Sequence, residues 1–201
     1  MSESLVLAFV PGVTPAKWVG VWKERMPRVP IELRPLSEAE ALQSLLAGEA
    51  TVALLREPFA REGLSAIPLY EERAVVVAPK DHPIAAFDEL SRADVADENL
   101  LEGDPRDAVE LVAANVGIAI MPQSVARLHS RKDVVARPLR DEPTTRIALA
   151  WLENETTDQI EEFVGIVRGR TANSSRGEVK PPQSKPAPKK TQNRPAKPRR
   201  R

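Results

Sequence analysis

The sequence predicts an open α/β architecture, and three stretches carry that reading. Residues 5–55 alternate apolar strand, capped helix, strand, helix, strand. Such an order requires right-handed crossovers and parallel pairing. Near the middle, Asp104-Pro105 forms a helix start, with an N-cap followed by a first-turn proline. Val109, Leu111, Val112 and Val116 supply its apolar positions, and Gly117 is its expected stop. Ile118 to Met121 is then wholly apolar, the mark of a strand buried on both faces, and Pro122 can open another helix to Leu128. The third stretch, Ala74 to Ala78, repeats the buried-strand signature.

Taken in order, Leu5 to Val10 is an apolar strand turned by Pro11-Gly12, with Thr14 as cap and Pro15 opening a helix. Trp18, Val19, Trp22 and Met26 form one stripe on that helix. Pro27 and Pro30 end it, and Ile31 to Arg34 alternates like a strand with one wetter face. Ser37-Glu38-Ala39-Glu40 is a capping box. Its helix buries Leu42, Leu45 and Leu46 and stops at Gly48, before a buried strand from Thr51 to Leu55. Leu64 to Tyr70 reads as an extended link carrying Pro68. Asp81-His82-Pro83 is a turn, and Phe87 to Val95 is a short helix or turn. Val134 to Leu139 is extended, and Arg146 to Trp151 is a strand. Thr156 and Gln159 read as a second capping box, leading a helix through Ile160, Phe163, Val164 and Val167.

Composition narrows the classes. The 201 residues include no cysteine, so neither a disulfide framework nor a thiolate metal site is available. The start, Met1-Ser2-Glu3-Ser4, lacks the basic and apolar regions of a signal peptide. No apolar run approaches the ~20 residues of a membrane span. A cytoplasmic protein with no membrane partner is expected. The zero net charge hides an asymmetry. From Thr171 onward ten Lys+Arg face one acid, so this tail carries +9 and the preceding residues −9. Six prolines interrupt the tail, which cannot bury enough apolar area to offset its ordering entropy. It is predicted to be disordered.

Several segments, in order, resemble a known family. "VAANVGIAIMP" resembles the "V-x-x-G-x-G-I-A-x-x-P" segment of the effector-binding domain of LysR-type transcriptional regulators. "MPRVPIELRPLSEAEALQSLLAGEATVALL" resembles the run from that domain's second strand to its third. "LSAIPLYEERAVVVAPKDHPIA" resembles its hinge strand, and "LSRADVADENLL" is similar to a following family segment. The resemblance spans about residues 5–168. It implies a two-lobed α/β fold of the type 2 periplasmic-binding-protein kind. Lobe one would cover about 5–72 and 138–168, and lobe two about 73–137, within a domain of residues 1–170. The tail would be 171–201. Three departures stand out. No helix-turn-helix precedes the first strand. Leu101 is followed within four residues by Pro105, where the family has further strands and a helix, so a truncated second lobe is expected. Thr51 stands where the family usually has Asp.

Family effectors sit between the lobes, at helix starts and strand ends. The matching positions are Thr14, Ser37 and Arg56 from the first lobe, with Asp104 and Asn115 expected to face the cleft from the second. Free helix amides suit an anion, so a small organic anion or amino acid is the expected ligand. Each residue also has a plain structural role: Thr14, Ser37 and Asp104 as caps, Arg56 as a solvated loop charge. In the tail, Lys189, Lys190, Arg194, Lys197, Arg199, Arg200 and Arg201 could neutralise phosphates without reading sequence, since no aromatic residue is interleaved.

Catalysis finds no constellation of acid, base and nucleophile. His82 and His129 lack metal-ligand spacing, and Pro11-Gly12 is a lone turn rather than a phosphate loop. No catalytic residue, metal or cofactor is expected. The leading expectation is a LysR-like ligand-sensing or regulatory domain tied to transcription. The alternative is a non-sensing protein-interaction module whose basic tail binds nucleic acid. A homodimer or a regulatory protein partner fits either.

Overall fold

A computed structural model describes residues 4–170; the expected tail lies outside the described residues. The chain builds two sheets. The first contains β1 (Leu5–Phe9), β2 (Ile31–Pro35), β3 (Val52–Arg56), β4 (Leu64–Glu72) and, from late in the sequence, β8 (Thr145–Leu152), in the order β2-β1-β3-β8-β4. β1 runs parallel to both β2 and β3, the product of two crossovers through α1 (Ala16–Arg25) and α2 (Glu38–Leu46). β8 returns antiparallel between β3 and β4. The second sheet holds β5 (Ala74–Pro79), β6 (Ala119–Pro122) and β7 (Val134–Pro138), in the antiparallel order β6-β5-β7. With α3 (Pro105–Ala113) and α4 (Gln123–Leu128), it makes a lobe smaller than the first.

Burial follows the sequence pattern in the strands, but in α2 Leu45 is buried and Leu46, expected inside, is 43 % exposed. All five residues of β3 are buried, as a central strand covered on both faces requires. In the same core, α1 and α5 (Asp158–Val167) bring Trp22 and Phe163 edge to face, with ring centroids 5.8 Å apart. The Trp22 indole N–H donates to Val29 O at 3.0 Å, so its polar atom is not stranded. In the second lobe β5 divides its side chains between two cores. Val75 and Val77 meet Val109, Val112 and Val125 of α3 and α4, while Val76 and Ala78 meet Ile84, Leu90 and Leu139 on the other face. Thr51 also finds a use, its hydroxyl accepting from the Val6 amide at 3.0 Å.

Four local readings change. Residues Leu64–Glu72 form a full strand, not a link. β4 is an edge strand and its register shifts between Pro68 and Tyr70, which is where a proline is tolerated. The start of α1 falls at Pro15, with no side-chain cap, so Thr14 is not its cap. The α5 cap is Thr157, whose hydroxyl accepts from the Ile160 amide, because the Thr156 hydroxyl is taken by the Trp151 indole N–H at 3.1 Å. The left-handed residue after α3 is Asn115, with φ 62°, rather than Gly117. Gly117 serves a different need: a Cβ there would overlap the Asn99 carbonyl oxygen.

Candidate functional site: a cleft between the lobes

Parallel pairing of β1 and β2 brings the starts of α1 and α2 side by side, and the turn from β6 into α4 faces them. Between these walls lies a cleft of about 630 Å³, within the usual range of ligand sites. Pro11, Gly12 and Thr14 line it from the β1–α1 turn, Leu36 and Ser37 from the β2–α2 turn, and Ser124, Arg127 and Leu128 from α4. Gly12 is required twice over. Its φ of +86° suits glycine, and a Cβ would overlap Ser124 Oγ and lie 2.9 Å from the Ser124 carbonyl carbon. The lobes therefore touch at one edge of the cleft.

The predicted residues separate. Thr14 and Ser37 share the cleft wall. Ser37, however, is committed to its helix: its hydroxyl donates to Glu40 Oε2 at 2.7 Å, its amide donates to the same oxygen at 3.0 Å, and its Oγ accepts from the Glu40 amide at 3.3 Å. These bonds, the hydroxyl first, hold the Glu40 carboxyl below its ordinary value of 4.5. Glu40 thus stands ionised at the cleft wall.

Arg56 is neither a solvated loop charge nor a free anion anchor. Only 7 % exposed, it donates from Nε and Nη2 to Glu72 Oε2, both at 3.1 Å, and from Nη1 to Glu38 Oε1 at 2.5 Å. Nη2 also reaches Pro11 O at 3.0 Å and Ser124 Oγ at 3.4 Å. Two carboxylates already neutralise it, and Glu72 arrives because β4 is a strand. Tyr70 is more exposed, and partial desolvation followed by repulsion from Glu72 pushes its hydroxyl up, against the opposing pull of Arg56.

Asp104 and Asn115 do not line the cleft. Asp104 caps α3, its Oδ1 accepting from the Arg106 and Asp107 amides at 2.9 and 3.3 Å, and Asn115 is exposed beyond that helix's other end. The second-lobe wall is instead Ser124, Arg127 and Leu128, which sequence reasoning missed. The available signal was Pro122 opening a helix directly after a buried strand. The Arg127 guanidinium forms no hydrogen bond or ion pair among those of the described residues, and it is the cation of the cleft wall. The tail residues Lys189 to Arg201 lie outside the described residues.

Two lobes joined by crossing strands, with a ligand-sized cleft at strand ends, define a two-lobed binding-protein-like domain. A model of the LysR substrate binding domain family matches residues 2–109 and 103–172, and the chain belongs to that family, the ligand-sensing part of LysR-type transcriptional regulators. The chain is 24% identical over 204 residues to the Hca operon transcriptional activator HcaR of Escherichia coli, covering 85% of this chain and 69% of that protein. It is 25% identical to a probable hydrogen peroxide-inducible genes activator of Mycobacterium avium, covering 83% of this chain and 64% of the other. Among solved structures, the BenM effector binding domain with its effector benzoate shares the fold, with a TM-score of 0.71 at 19% identity over 83% of this chain and 90% of that one. A Corynebacterium glutamicum OxyR mutant gives 0.69 at 20% identity, over 83% and 64% of the two chains. The two-lobed fold, the smaller second lobe and the family assignment expected from sequence therefore hold. No helix of the described residues is long and apolar enough to cross a membrane.

Proposed function

We propose that the cleft senses a small organic monoanion with an apolar body, without catalysing its conversion, in a cytoplasmic regulator of transcription. The observation that carries this is Arg127, a guanidinium on a largely apolar cleft wall with no carboxylate partner among the described residues. A carboxylate beside it would gain a charge-assisted contact, while Leu36, Leu128 and Pro11 accept the apolar remainder. The uncapped start of α1 adds free amides at Thr14's side of the cleft. The ionised Glu40 on the opposite wall repels a second negative charge, which restricts the ligand to one. The benzoate of BenM is a ligand of this class.

Thermal-shift titration with benzoate, its neutral isostere benzamide, and succinate tests the reading. Benzoate should raise the melting temperature and the other two should not, because a ligand bound only by the native state stabilises it. Changing Arg127→Gln should weaken benzoate binding about 10-fold or more, the value of a hydrogen bond to a charged group. Equal shifts with benzoate and benzamide would remove the anion assignment. No shift with any compound would favour the protein-interaction reading.

The tail's excess of cations supports a second contact, non-specific binding of nucleic acid through Lys189, Lys190, Arg194, Lys197 and Arg199 to Arg201. Its signature would be a steep loss of duplex affinity between low and moderate salt, absent from a protein ending at Arg170.

A further inference from the structure

We propose that Arg56 is a positioning residue that couples the width of the cleft to the crossover between the lobes. One buried guanidinium holds three groups of the first lobe, Pro11, Glu38 and Glu72, and one of the second, Ser124. Glu72 is the last residue of β4, two positions before β5 begins in the other sheet. Pro11 belongs to the first-lobe wall of the cleft and Ser124 to the second-lobe wall. Glu38 is the first residue of α2.

The bonds are unequal. Glu72 is as buried as Arg56, each side chain being 6 % exposed, and accepts two charge-assisted bonds on one oxygen, so that connection is the fixed one. The 3.4 Å bond to Ser124 is the longest and ends on a neutral hydroxyl, so it is the first to yield when the lobes part. Gly12 allows Ser124 to come this close, since any Cβ at that position would push it away. The crossover has a second fastening, the Gln123 amide donating to Arg73 O at 2.9 Å, one residue before Ser124. Separation of the cleft walls at Ser124 is thereby transmitted to the peptide on which the second lobe turns.

The absence of cysteine allows clean paired labelling. Spin labels at Glu24→Cys on α1 and Asp107→Cys on α3, both exposed, report lobe separation by pulsed dipolar spectroscopy. Full-length protein without ligand is measured with Arg56 and Ser124 intact, with Ser124→Ala, and with Arg56→Lys, whose point ammonium lacks the planar fork. Both variants should lengthen and broaden the distance distribution. The Gln123 amide should exchange about 2–10-fold faster in Ser124→Ala, the equivalent of one lost hydrogen bond. If the variants melt at lower temperature but their distance distributions superimpose on the parent's, Arg56 only stabilises the fold and the proposal falls. If Arg56→Lys does not fold, Ser124→Ala decides alone, because it removes a single oxygen. No ligand enters the measurement, so its outcome is separate from that of the benzoate titration.

Discussion

Glu72 shows how much one buried charge can demand. Its side chain is 6 % exposed, and its bonds run to Arg56. Changing Arg56→Met would keep most of the volume and leave that carboxylate without its partner. The expected loss is about 3–5 kcal/mol, the usual effect of breaking a buried pair by removing one member. Urea unfolding with an unchanged slope would measure it. The companion change, Arg56→Met with Glu72→Met, should recover much of the loss, because it removes both charges together. At Gly117 the expectation is steric: Gly117→Ala would force the Asn99 carbonyl to move and should cost about 1–3 kcal/mol, like other overpacking.

Among the elements, α2 and α5 make paired predictions about caps. Thr157→Ala should destabilise by about 1 kcal/mol, whereas Thr156→Ala should cost less, because its hydroxyl serves the half-buried Trp151 indole and no helix amide. The α2 capping box also has a pH signature. The folded Glu40 carboxyl titrates below its ordinary 4.5, so its contribution is complete above pH 4.5 and is lost as pH falls through the folded value. Asp94, held low first by the Ser91 amide and then by its hydroxyl, adds a fall in the same direction. Urea midpoints followed downward from neutral pH should therefore decline below pH 4.5, and Glu40→Gln should flatten part of that decline.

What could be read from the sequence divides by the range of the cause. The Ser37–Glu40 box and the Asp104 cap were legible because both partners lie within one helical turn. The buried strand at β5 was legible because its apolar run has no polar face. Arg56 was misread because its partners, Glu72 and Ser124, lie 16 and 68 residues away and meet it only after two sheets have formed. Pro68 concealed β4 because tolerance of a proline depends on whether a strand is at an edge, which only the sheet order decides. The far wall of the cleft followed the same logic. Asp104 and Asn115 sit on the right lobe, but α4 is the helix that faces Thr14.

For the whole molecule, the five-stranded sheet should be the most persistent unit. β3 is buried throughout and flanked by β1 and β8, while β6 is an edge strand of a three-stranded sheet. Native-state hydrogen exchange should find the amides of Val52–Arg56 and Ile147–Ala150 last to exchange and those of Ala119–Met121 earlier. The opposite order would mean that the small lobe is the stable one. Phe163→Ala, which removes the ring packed on Trp22, should cost about 3–5 kcal/mol in the same global unfolding.

Glu72 and Thr145 are direct partners across β4 and β8, though the 72 intervening positions of sequence form the whole second lobe. The lobe is thus spliced into what is otherwise the tip of a hairpin. A two-residue Asn-Gly turn has the geometry to close that tip. Joining Glu72 to Thr145 through such a turn should yield a miniature protein that keeps all five strands of the first sheet, the Trp22–Phe163 pair and the Arg56–Glu72 pair. A single cooperative melt with the far-ultraviolet signature of mixed helix and strand would show that the larger lobe is an autonomous chassis and the smaller one an exchangeable cassette.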